Sequence, residues 1–151
     1  MGIRIVDPEA DAVRYDFAGQ EGRLLENGEA AHGAFAVATW TLEPGGFAPP
    51  PHRHREIDEA VYVLSGTLEL DDDGERAQTA SAGAYVAIPA GTGHTMRVAG
   101  DAPVRMLMVM SAPRRAIEAF ERLTEAFTDG APSPERMGEL LAGVDLEPAG
   151  L

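Results

Sequence analysis

No cysteine occurs in the 151 residues. That absence excludes a disulfide framework, a thiolate metal site and a cysteine nucleophile, and it fits a reducing compartment. Basic residues are scarce: 12 Lys and Arg stand against 25 Asp and Glu, a net charge of -13. That is the wrong sign for neutralising phosphates or anionic lipid, so nucleic acid and membrane surfaces are not expected partners. No apolar run approaches the roughly 18 residues of a membrane span. The first residues, with Arg4 and Asp7, carry charge too early for a signal-peptide core, so the expected location is the cytoplasm.

What is present describes a folded chain of one domain. Hydrophobic residues make up 44% and charged residues 25%, close to globular averages, and the length is near the commonest domain size. Residues 1–33 have weak periodicity, with one or two edge strands expected. Residues 34–112 alternate short apolar segments with Gly, Pro and Asp clusters, the pattern of an antiparallel all-β sandwich or barrel. Strands are expected over Phe35–Leu42, Ala60–Leu64, Thr67–Leu70, Ala84–Ile88, His94–Val98 and Val104–Met110. Turns are expected at Glu43–Gly46, Asp71–Gly74 and Pro89–Gly93. Residues 113–151 change period and read as a helical extension of the same domain. Ile117, Phe120, Leu123 or Thr124, and Phe127 recur at helical spacing, with a stop at Asp129-Gly130. A second helix is expected to start at the N-cap Ser133, with Pro134 at its first position. It would bury Met137, Leu140 and Leu141 and end at Gly143. Both helices are expected to pack outside the β core.

The chemistry concentrates in two segments. In an extended strand, residues two apart point to one face, so His52 and His54 present two imidazoles toward a common point. The polar stretch Arg55–Asp58 can reverse the chain and return Glu59 beside them with a hard oxygen ligand. A strand, a Pro/Gly turn and a new strand starting at His94 can deliver a third imidazole. Glu59 also has two other readings, a solvated strand residue or an acid/base. The set His52, His54, Glu59 and His94 suits one divalent transition metal ion, with Fe, Mn, Ni, Co, Cu and Zn all compatible.

Both segments resemble the two motifs of the cupin superfamily. The first runs Gly46, five residues, His52-x-His54, four residues, Glu59, six residues, Gly66; the second runs Gly83, five residues, Pro89-x-Gly91, two residues, His94. With background residue usage, the five fixed positions of the first motif coincide by chance on the order of once in a million starts. Val98 stands where the second motif usually ends in Asn. The resemblance spans roughly Phe35 to Met110, and the chain is similar to small bacterial quercetinase-like cupins. It implies a double-stranded β-helix, that is a jelly-roll barrel, binding its metal through His52, His54, Glu59 and His94, with Glu59 able to act as catalytic base. It also implies a homodimer.

Other candidates carry bland readings. Glu56 and Asp58 read as a solvated hairpin tip, and His32 as an exposed loop histidine. Val61 and Val63 share the face of Glu59, and Met96 and Val98 that of His94, so these four are the expected substrate-pocket residues. Trp40, Phe35, Phe47, Tyr62, Tyr85, Met106, Met108 and Met110 suit a cavity or core packing, and packing is the role expected for most of them. Arg53 should point away from the metal.

The resemblance ranks three functions. The first is a dioxygenase acting on a small aromatic, enolic or polyketide-like molecule. The second is a non-redox isomerase, cyclase or lyase using the ion as Lewis acid. The third is a non-catalytic small-molecule-binding cupin.

Overall fold

The computed structural model describes residues 2–72 and 77–149. Eleven strands and two helices follow one another among them. They are β1 (Val13–Phe17), β2 (Gln20–Glu26), β3 (Ala36–Leu42), β4 (His52–Arg53), β5 (Glu59–Ser65), β6 (Thr67–Asp72), β7 (Gln78–Ser81), β8 (Tyr85–Ile88), β9 (His94–Val98), β10 (Val104–Met110), α1 (Pro113–Ala126), α2 (Pro134–Leu141) and β11 (Glu147–Pro148). The strands form two antiparallel sheets, one ordered β1-β2-β3-β10-β5-β8 and the other β11-β4-β9-β6-β7. From β3 onward the chain crosses between the sheets at every step except β6 to β7, the winding of a jelly-roll barrel. Asp73 and Gly74, half of the expected Asp71–Gly74 turn, lie outside the described residues.

Alternation decides what each strand buries. In β3, Ala36, Ala38, Trp40 and Leu42 point inward, and in β10 Val104, Met106, Met108 and Met110 do the same. The two rows lie in register, and at one end large side chains face small ones across the ladder, Met108 opposite Ala38 and Met110 opposite Ala36. Between β5 and β6 the chain passes from one sheet to the other at Gly66, whose φ is +78° and whose missing Cβ would sit 2.4 Å from the Pro103 carbonyl oxygen. Only glycine fits that crossing.

The N-terminal segment supplies both β1 and β2, and β2 lies inside the sheet between β1 and β3 rather than at its edge. The helix expected from the spacing of Ile117, Phe120 and Leu123 is α1. It begins with Pro113 at its first turn, where a missing N–H costs nothing, and it buries Ala116, Ala119 and Leu123. It lies outside the strands against β1 and β3. There Phe120 meets Trp40 edge-on at 4.9 Å between ring centroids and Tyr15 at 5.5 Å. Helix α2 starts as expected, the Ser133 hydroxyl accepting the Arg136 N–H, and it buries Leu140 while Met137 and Leu141 are half-buried.

Candidate metal centre and substrate cavity

The strand pairings bring the expected ligands together. His52 of β4 lies directly opposite His94 of β9, and Glu59 opens β5 on the facing sheet. One ring nitrogen from each of His52, His54 and His94 lies within 4.8 Å of the other two. Glu59 joins them: its Oε1 is 3.7 Å from His54 Nε2 and its Oε2 is 3.2 Å from His94 Nε2. None of the four residues is more than 8% exposed, so the cluster is shut off from bulk water.

Backbone carbonyls set the direction of each imidazole. His52 Nδ1 donates to the Pro50 carbonyl at 2.9 Å, His94 Nδ1 to the Thr92 carbonyl at 3.0 Å, and His54 Nδ1 to the Asp145 carbonyl. A proton held on Nδ1 leaves the Nε2 lone pair for a ligand, which is the support that metal-binding imidazoles need. Three such nitrogens and a carboxylate around one buried point form a donor set that fits a divalent transition metal ion.

The electrostatics agree with that donor set. Burial, helped by His94, pushes the His52 imidazole down to about 4, so it is neutral at physiological pH. Burial raises the Glu59 carboxyl, but the surrounding histidines, His94 foremost, outweigh it and hold the group below its ordinary value. Neutral imidazole and ionised carboxylate are the protonation states that coordinate metal.

The centre opens into a cavity of about 80 Å³. Its wall includes Phe17, Trp40 and Leu42, four methionines (Met96, Met106, Met108 and Met110), and Ala116, Ala119, Phe120 and Leu123 of α1. His52, His54 and Glu59 face the same space. Of the residues expected to line a pocket, Met96 does. Val61 and Val63 are fully buried, packed in the hydrophobic core, and Val98 packs against it. Trp40, Met106, Met108 and Met110 line the cavity as well as packing the core. Tyr62, Tyr85, Phe35 and His32 are exposed, and Phe47 packs on Phe17 and Phe127. Arg53 is half-buried and lies outside this wall.

Two contributions were invisible in the sequence. The inner face of α1 closes the cavity, and its small Ala116 and Ala119 carry no sequence signal of that role. Asp145 is buried against the His-x-His segment from 90 positions away, and an isolated acid near a C-terminus carries no signal of such a contact.

Residues 38–110 match the sequence model of the cupin domain family. That stretch is a cupin domain. Over 86 residues this cupin is 41% identical to quercetin 2,3-dioxygenase of Bacillus subtilis, a match covering 56% of the chain and 25% of the relative. It therefore spans about a quarter of the length of that curated relative. Among solved structures it resembles a cupin-superfamily sugar phosphate isomerase from Silicibacter pomeroyi, at TM-score 0.61 and 29% identity over 72% of this chain and 75% of the other. It also resembles a predicted oxalate decarboxylase from Thermotoga maritima, at TM-score 0.64 and 21% identity over 72% and 99%. The last likeness speaks for the fold alone.

Proposed function

We propose that this cupin is a metal-dependent enzyme acting on a small organic molecule, and that it adds dioxygen to an aromatic or enolic substrate as quercetinase-like cupins do. The observation that carries the reading is a buried three-histidine, one-carboxylate centre opening into a wall of hydrocarbon, aromatic and thioether surface. Apart from the ligand residues, Gln20 is the polar side chain in that wall, and no Arg or Lys stands among its described residues. A phosphorylated sugar would need a cation or several donors there, so the resemblance to a sugar phosphate isomerase is weighed below that to the dioxygenase.

A bound ion would supply Lewis acidity and, if redox-active, the electronic means to engage dioxygen. The rest falls to the chain. Glu59, ionised at neutral pH, is placed to accept the proton of a substrate hydroxyl. The closed apolar wall keeps bulk water from the ionised substrate.

The cavity also bounds substrate size. Its 80 Å³ is about half the ~150 Å³ of an engineered apolar cavity that takes up benzene. Four unbranched methionine side chains in the wall can rearrange to admit one ring. A three-ring flavonol exceeds that space unless the wall is displaced. The expected substrate is therefore an enol or phenol of one ring or less.

The test is elemental analysis of protein purified without chelator, with His52→Ala and Glu59→Ala beside it, and oxygen-electrode assays against a panel graded from small enols through monocyclic phenols to flavonols and polyketide phenols. About one Fe, Mn, Ni, Co or Cu per chain, lost in the variants, with oxygen uptake strongest for the smaller members, is the expected result. Turnover without oxygen uptake would replace the dioxygenase by a Lewis-acid isomerase, cyclase or lyase. Absence of metal even after reconstitution would overturn the centre itself.

A further inference from the structure

The three imidazoles of the centre are not supported alike. His52 and His94 donate to carbonyls two residues back on their own segments, Pro50 and Thr92. His54 instead donates to the Asp145 carbonyl, 91 positions away in the C-terminal segment. The same residue grips the chain just after His54: its Oδ1 accepts the Arg55 N–H at 2.7 Å and its Oδ2 the Glu56 N–H at 2.8 Å.

Further contacts tie this segment down. Strand β11 pairs with β4, Glu147 opposite Arg53 and Pro148 opposite His52. The Ala149 N–H donates to the Pro51 carbonyl at 2.8 Å, and Glu147 forms an ion pair with Arg55. Asp145 is 8% exposed. A buried carboxylate that accepts two backbone N–H groups is strongly constrained, because losing it strands both donors.

We infer that Asp145 is a positioning residue for the metal centre: the C-terminal strap it anchors holds His54 in the Nδ1–H tautomer and aims its Nε2 at the ion. The family match ends at residue 110, so this support is supplied by the chain's own extension. The inference rests on the reading of His54 as a metal ligand.

The experiment uses the full chain and Co(II) alone as probe. Circular dichroism checks folding, chelator competition gives the Co(II) Kd, visible absorption reports ligand geometry, and long-range proton–nitrogen NMR of the metal-free protein reads the His54 tautomer. Removing such an outer support typically weakens metal binding 10- to 100-fold. Asp145→Ala, folded as the wild type, should therefore raise the Kd by that factor, shift the visible bands and mix the His54 tautomers. Asp145→Asn keeps one acceptor oxygen and should recover part of the loss. Wild-type Kd, bands and tautomer in Asp145→Ala would overturn the inference while leaving the metal centre standing. If Asp145→Ala does not fold, Asp145→Asn decides: a Kd within twofold of wild type, with the tautomer unchanged, overturns the inference. Failure of the wild type to bind Co(II) more tightly than His52→Ala would overturn the metal reading itself.

Discussion

An imidazole taken out of water loses the hydration that stabilises its protonated form, and His52 shows the consequence. Its folded value near 4 lies below the ordinary 6.5, so between those values the unfolded chain binds a proton that the native state refuses. Stability then rises with pH through the window and is lost as pH falls toward 4. Glu59, held below its ordinary value, acts in the same direction at lower pH. Metal-free protein should therefore lose about 2 kcal/mol between pH 7 and pH 5 from His52. The urea midpoint measured across that range tests this, and His52→Ala should flatten the profile. Identical slopes in both proteins would show that His52 is not desolvated as the structure has it. At this scale the clustering of His52, His54, Glu59 and His94 was legible because strand alternation and motif spacing are local properties. The pocket was not: Val61 and Val63 do point inward with Glu59, but depth along a strand depends on what the other sheet packs there. In this fold Val61 and Val63 are sealed in the core.

Elements with clean alternation declared themselves, and β3, β9 and β10 lie within a residue of their expected bounds. Strands β4 and β11 are two residues each, and β7 is short and polar apart from Ala80. They exist because a neighbouring strand offers hydrogen bonds, which no local pattern encodes. The place of β2 depends on one such neighbour. It runs between β1 and β3, and Gly22 sits opposite Trp40 with the indole lying over it, so that an added Cβ would come 2.8 Å from the ring. The missing side chain is what lets Trp40 reach α1 and the cavity wall. Gly22→Ala should thus push the ring off its seat and cost about 1–3 kcal/mol by overpacking. Trp40 is the single tryptophan, so its emission reports the shift without ambiguity. A variant with unchanged emission and unchanged urea midpoint would show that the ring is not wedged there.

On the whole molecule, the outer face of the larger sheet differs from the rest of a chain carrying -13 net charge. Strand β8 ends that sheet, and on its outer side Tyr85 stands opposite Tyr62 of β5. Tyr62, Leu64 and Tyr85 are 46%, 44% and 68% exposed, and Leu107 and Val109 of β10 continue the same face, with Arg105 its one charged side chain among these three strands. An apolar sheet face beside an open strand edge invites pairing unless it is covered. A second copy of the chain suits it best: β8 can pair antiparallel with itself across a two-fold axis, and two such faces meet without bringing many carboxylates together. No helix among the described residues is long and apolar enough to cross a membrane, so a bilayer-spanning helix does not account for the patch. If the chain forms the homodimer that the family resemblance implies, this face is the surface it would use. Sedimentation velocity at tens of micromolar (well above a submicromolar Kd) should give a dimer for the wild type and a monomer for Tyr62→Lys with Tyr85→Lys, the metal content staying that of the wild type because neither side chain faces the centre. A wild-type monomer, or a double variant that still dimerises, would remove this face as the interface.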